Sequence, residues 1–177
     1  MTQQQPLTVE PGRTAVVIMD FQVGIVGSVA RDAEGTVQRA SSVLAAARAA
    51  GIPVIFVQHR GGRFEVDSPD TAWLPALAPQ SGETLLLKRK AGSFSTTALD
   101  VTLREQGRDT LVLMGVATSG CVLSTVRWGA DINYKLVVVK DACDDADEEV
   151  HRVLTEKLFP RQATVVMAAE FVAAAHA

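Results

Sequence analysis

Apolar and polar positions along the chain alternate between two rhythms. TAVVIMD (14–20) is a continuous apolar run closed by an acid. That is the pattern of a strand buried on both faces of a sheet. From about residue 33 to 50, through EGTVQRASSVLAAARAA, apolar residues recur at helical spacing: Val37, Ala40, Val43 or Leu44, Ala47. Gly51 is a natural stop for that helix. PVIFVQH (53–59) and TLLLK (84–88) predict a second and a third strand. Between them lies the longest irregular stretch, 60–82, punctuated by Gly61, Gly62, Pro69, Pro75 and Pro79. A loop of that length in a compact domain is a lid, a binding loop or an interface. A short helix follows near 96–106, then a fourth strand, TLVLMG (110–115), and a helix in SGCVLSTVRWGADI (119–132). KLVVVKD (135–141) is a fifth strand, ADEEVHRVLTEKLF (146–159) a helix and ATVVM (163–167) a sixth strand.

Strands that alternate with helices join through right-handed crossovers and build a mostly parallel sheet. The expected fold is therefore a three-layer α/β/α sandwich, Rossmann-like, with six strands. A tail over 1–12 precedes a single domain over 13–177, and there is no internal repeat. At 177 residues and 47% hydrophobic content, the chain suits one domain with one core. A net charge of -3 gives no basic surface for nucleic acid. No apolar run approaches the roughly 18 residues of a membrane span. MTQQQPLTVEPGR has neither the basic start nor the apolar core of a signal peptide, so a cytoplasmic protein is expected. The two cysteines, Cys121 and Cys143, form no Cys-x-x-Cys pair and no disulfide framework.

In sheets of this type ligands sit beyond the carboxyl ends of the strands, where strand order reverses. Reactive residues stand at those ends. Asp20 closes the first strand, His59 the second, Lys88 the third and Asp141 the fifth, while Cys121 follows the fourth. GVATSG has the glycine spacing of a phosphate loop, but Cys121 and Val122 occupy the places where that loop needs Lys and then Ser or Thr. A thiol, a carboxylate and an ammonium instead suit acyl transfer. A cysteine attacks as thiolate, and a helix N-terminus is expected to lower its pKa. Thr118 or Ser119 is the expected cap of that helix. Gly115 and Gly120 permit a tight turn and close approach to a ligand. Backbone N–H groups near Ala117 and Cys121 form a candidate oxyanion hole. Asp20 would take the thiol proton and pass it to the departing amine, and Lys88 would balance charge and orient Asp20. This chemistry calls for no cofactor.

Three stretches, VVIMDFQVGI, KRKAGSFSTTALD and GVATSGCVLSTVRWGADINYKLVVVKDAC, carry a resemblance that spans roughly residues 13–170. The chain resembles the isochorismatase-like cysteine hydrolase superfamily, which includes nicotinamidases, N-carbamoylsarcosine amidases, ureidoacrylate and biuret hydrolases and streptothricin hydrolase. The resemblance implies an Asp–Lys–Cys triad at Asp20, Lys88 and Cys121. It selects Lys88 over Lys90 because the family has a Phe six residues after its lysine, and Phe94 stands there. It also implies a non-proline cis peptide at Val116–Ala117. Nicotinamidases bind a metal through an Asp and two His after the second strand. Here 60–82 holds no His, so no metal site is expected. The implied reaction is hydrolysis of an amide, ureido or lactam C–N bond of a small molecule through a thioacyl enzyme. The alternatives are an isochorismatase-type vinyl ether hydrolase and a catalytically idle interaction module.

Gln22, His59, Phe94 and Trp73 are candidate substrate contacts. Cys143 reads as structural, Trp128 as core or interface packing, and DDADEE (144–149) as a solvated acidic helix start. Family members are similar in forming dimers or tetramers, so a homodimer or homotetramer is expected. The 60–82 loop adds a reason of its own: Phe64, Trp73, Leu74 and Leu77 would make a contiguous apolar patch, which a monomer rarely exposes.

Overall fold

In the computed structural model, which describes residues 7–66 and 68–177, six strands form one sheet in the order β3-β2-β1-β4-β5-β6. They are β1 (Thr14–Met19), β2 (Val54–His59), β3 (Thr84–Lys88), β4 (Thr110–Val116), β5 (Lys135–Asp144) and β6 (Thr164–Val166). All five pairings are parallel. The central strands β1 and β4 are apolar on both faces because helices cover both, and β1 is buried at every residue. On the edge strand β3 burial alternates, leaving Leu85 and Leu87 exposed on one face.

The long helix α2 (Ala33–Ala49) starts on Asp32, whose carboxylate accepts from Gly35 N, and ends at Gly51 with φ of 65°. It buries Ala40, Val43, Leu44 and Ala47, the face that the helical spacing marks out. α4 (Leu123–Asp131) joins β4 to β5 and moves across the sheet in the opposite direction from α2, which joins β1 to β2. With right-handed crossovers the two helices therefore lie on opposite faces. α3 (Leu99–Glu105) buries Leu99 and Leu103 and reaches the α4 end of the chain, where Arg104 donates to Ile132 O.

Two helices lie outside the sequence expectation, α1 (Val23–Val29) and α6 (Ala168–Ala175). Both are short and alanine-, valine- or glycine-rich, too brief for periodicity to mark. The expected helix over 146–159 divides into α5 (Glu148–Val153) and a π-helical turn (Leu154–Leu158). β5 runs to Asp144, three residues beyond its expected end, so Asp141 lies within the strand; its carboxylate accepts from Ala168 N and lies near Arg39.

Residues 60–82 fold back on their own domain. Leu77 is fully buried, Leu74 packs on the core, and Trp73 meets Phe56 edge-on at 5.3 Å. Phe64 packs edge-on against His59. These four residues therefore do not form the expected contiguous exposed patch: Trp73, Leu74 and Leu77 turn inward around two 3-10 turns, Pro69–Thr71 and Pro75–Leu77, and Phe64 packs on His59. Trp128, expected to pack, is 47% exposed. Of the tail expected over 1–12, residues 1–6 lie outside the described residues. No helix among the described residues is long and apolar enough to cross a membrane.

Candidate active site

The sheet order reverses between β1 and β4, and the chain that leaves each of them carries a reactive side chain. Asp20 follows β1 with φ of 60°, a left-handed conformation uncommon outside glycine and one that Asp tolerates better than most residues. Its N–H donates to Val57 O across to β2. Lys88 is the last residue of β3. Its side chain passes over the end of β2 and places Nζ 2.7 Å from Asp20 Oδ2 and 3.0 Å from Lys90 O, an acceptor. Lys90, the competing lysine, thus contributes a carbonyl. The pair is almost dry, with side chains 2% and 6% exposed. Asp20 Oδ1 has no hydrogen-bond partner among the described residues.

Burial drives the Asp20 carboxyl up to about 6, against the Lys88 ammonium, the Cys121 thiol and the His59 backbone, which hold it down. The group is thus poised near neutrality, where a general base works best.

Cys121 lies in a π-helical turn, Thr118–Val122, between β4 and α4. π-turns are rare and concentrate at functional sites. No side chain caps this turn, so neither Thr118 nor Ser119 has the expected role; the Val116–Ala117 peptide is cis. Cys121 Sγ is 3.5 Å from Ala117 O. Burial and the Asp20 charge raise the thiol pKa well above its ordinary value. This corrects the expectation of a lowered thiol pKa: the desolvation of a fully buried sulfur outweighs one helix terminus. The resting group is a thiol close to the Asp20 carboxyl. Gly115 makes the approach possible, since a Cβ there would stand 2.8 Å from Met19 O and 3.0 Å from Cys121 Sγ.

The turn is held from below by groups that the sequence had marked as solvated. Asp144 and Asp145 are buried, 9% and 6% exposed. Ser119 N donates to Asp145 Oδ2 at 2.7 Å, and Thr118 Oγ1 lies 3.1 Å from Asp144 O and 2.8 Å from His151 Nδ1. Asp144 Oδ2 accepts from Asp32 N, which fixes the start of α2 to the same point. The acidic run DDADEE therefore divides: Asp144 ends β5, Asp145 is buried just beyond it, and only the rest is helix start.

The comparisons bear on what such a site is for. The Isochorismatase domain family matches residues 14–170. The chain belongs to that family. An isochorismatase family protein from Escherichia coli O157:H7 is 33% identical over 170 residues, covering 86% of this chain and 90% of that protein. A ureidoacrylate amidohydrolase from Methylobacterium radiotolerans is 30% identical over 190 residues, covering 84% and 74%. A cysteine hydrolase from Pseudomonas syringae pv. phaseolicola superposes with a TM-score of 0.89 at 26% identity, covering 99% of each chain.

Within this isochorismatase-family domain the four candidate substrate contacts separate. Gln22 is fully buried. Its Oε1 accepts from His59 N at 2.8 Å, while its Nε2 donates to His59 O and Thr71 O. It is a clamp on the end of β2, and its side chain has no free surface for substrate. Phe94, 7% exposed, stacks on Tyr134 at 5.6 Å and packs over Gly129, so it too is interior. Trp73 pairs with Gln22 through an isolated bridge, and its indole Nε1 is buried without a partner. His59 is half-buried and pairs in register with Lys88. Burial and the neighbouring ammonium lower its pKa, which keeps the ring neutral. Of the four, His59 stands beside the Asp20–Lys88 pair. Cys143 is buried and pairs in register with Gly115. Among the described residues no group of three or more His, Cys, Asp or Glu is placed to hold a metal ion.

Proposed function

We propose that the protein is a cysteine hydrolase that cleaves an amide, ureido or lactam C–N bond of a small molecule, with Cys121 as nucleophile, Asp20 as base and Lys88 as its charge partner. The observation that carries the proposal is the nearly dry Asp20–Lys88 pair at 2.7 Å, electrostatically coupled to a thiol on the neighbouring π-turn. Asp20 removes the Cys121 proton as the sulfur attacks the carbonyl carbon; the C=O π pair moves onto the oxygen as an oxyanion and returns when the C–N bond breaks, its pair leaving with the nitrogen. N–H groups of Ala117 and Cys121 are the proposed donors to that oxyanion. Asp20 then delivers its proton to the departing nitrogen. The resulting thioester is hydrolysed by water, whose proton Asp20 accepts and then returns to Sγ. Lys88 stays charged throughout and keeps Asp20 able to cycle between its two forms.

The amide or ureido class is supported by the relative whose name is ureidoacrylate amidohydrolase, and the cysteine by the superposed cysteine hydrolase. Assembly into a homodimer or homotetramer belongs to the same proposal. It rests on resemblance alone, because 60–82 packs on its own domain; light scattering at low micromolar concentration tests it.

A panel of primary amides, ureido acids and cyclic amides, assayed for ammonia or amine release, tests the reaction. Cys121→Ala should abolish release while leaving the fold intact. Turnover by Cys121→Ala within tenfold of wild type would sink the mechanism, and pyruvate release from a vinyl ether without amine release would favour the other hydrolytic reading.

A further inference from the structure

His151 has no part in the chemistry above, yet it is tied to the turn that carries the nucleophile. It lies on α5, half-buried, with Nδ1 2.8 Å from Thr118 Oγ1. Thr118 is fully buried and opens the π-turn that holds Cys121 three residues later. The same hydroxyl is 3.1 Å from Asp144 O. A carbonyl oxygen only accepts, and a hydroxyl has a single proton. Both contacts are satisfied together in one arrangement: Thr118 donates to Asp144 O and His151 Nδ1–H donates to Thr118. The imidazole then serves as a fixed donor.

We propose that His151 is a positioning residue, which acts through Thr118 to hold the π-turn and aim Cys121 at the substrate carbonyl. The proposal rests on the cysteine mechanism above. Three features support it. The turn has no side-chain cap, so its register depends on tertiary anchors: Thr118 to Asp144 O at the end of β5, Ser119 N to Asp145 just beyond it, and Thr118 to His151 on α5, the one anchor that comes from a neutral side chain. Burial lowers the His151 pKa, against Asp144 and Asp145, so the ring brings no buried charge to the turn. Finally, His151 lines a surface cavity of about 270 Å³ together with Lys140, Glu148, Arg152 and Thr155. The anchor is therefore reachable by a small molecule through that cavity, whose lining holds none of Asp20, Lys88 and Cys121. Misplacing a reacting group by about 1 Å costs on the order of a hundredfold in rate, so a loosened turn is felt in kcat.

The test compares His151→Ala with His151→Asn, whose side-chain amide can place a donor near the Nδ1 position. Two readouts are followed: kcat and KM for amine release, and the rate at which iodoacetamide alkylates Cys121, resolved by mass from Cys143. Expected for His151→Ala is a loss of roughly tenfold to a hundredfold in kcat and in alkylation, with KM little changed. His151→Asn should keep most of both rates. Added imidazole should restore His151→Ala and leave the double variant His151→Ala/Thr118→Val unrestored. Unchanged rates in His151→Ala overturn the proposal, and so does a loss that neither asparagine nor imidazole relieves, which would make His151 packing alone. Should His151→Ala fail to fold, His151→Asn and Thr118→Val carry the same comparison: rates kept in the first and lost in the second support the clamp, and any other outcome refutes it. Alkylation reads the position of Cys121 without requiring it to be the nucleophile, so failure of the mechanism (turnover by Cys121→Ala) is distinguished from failure of the clamp.

Discussion

Replacing Lys88 with methionine removes an ammonium and keeps most of the side chain's volume. Two consequences can be weighed from the site itself. The Asp20 carboxyl rises from 3.8 to about 6 because it is buried, with Lys88 the largest of the influences that hold it down. At 1.36 kcal/mol per pKa unit, keeping that carboxylate ionised at pH 7 costs about 3 kcal/mol relative to water. The cost is absent below 3.8 and complete above 6, so this group favours the fold in acid and that contribution is lost as pH rises. Without Lys88 the carboxyl moves higher and protonates instead. Protonation caps its cost at pH 7 at about 4 kcal/mol, only about 1 kcal/mol more than in the wild type. That is well below the roughly 3–5 kcal/mol usual for breaking a buried pair, and the relief of no longer burying an ammonium offsets part of it. Lys88→Met should therefore fold, with a small change in urea midpoint. Function should change sharply. The wild-type pH profile of Cys121 alkylation and of kcat/KM should fall as pH drops through about 6, because the base must be ionised to take the thiol proton. In Lys88→Met that acid limb should move up by about one pH unit or more, leaving little activity at pH 7. A limb that stays near 6 would refute the assignment of Lys88 as the group that sets the Asp20 base.

Gly115→Ala should cost about 1–3 kcal/mol and most of the activity, since the new Cβ meets Met19 O at 2.8 Å and Cys121 Sγ at 3.0 Å; denaturation and turnover measured together check it, and a fully active, equally stable variant contradicts the packing. Leu77→Ala should destabilise by about 2–5 kcal/mol, because the loop's leucine is fully buried; a change under about 0.5 kcal/mol would mean that 60–82 is not docked on its own domain. Treatment with a strong chelator, or added zinc, should leave turnover unchanged, given the absence of a ligand set among the described residues; loss of activity on chelation, restored by metal, would show a site formed in another way.

The sequence alone determined the strands and marked candidate reactive residues at their ends. Parallel strands buried on both faces must be apolar throughout, so TAVVIMD and KLVVVKD are legible without neighbours, and the side chains after such strands have one end of the sheet to occupy. Asp20, Lys88 and Cys121 follow from that rule and from the resemblance. The structure brings Asp20 and Lys88 into contact and places Cys121 on the adjoining turn. Tertiary structure alone decided how those groups behave. Helix position argues for a thiolate at Cys121, but a pKa depends on what surrounds the sulfur in space, and burial leaves it a thiol. Gln22 and Phe94 read as surface contacts because a sequence does not show which face of a turn is closed. Asp144 and Asp145 read as a solvated helix start because acidic runs usually are, and His151 as one more residue of the helix that follows. Their partners, Asp32, Ser119 and Thr118, are 26 to 112 residues away in the chain, and no local pattern records hydrogen bonds that only folding brings within reach.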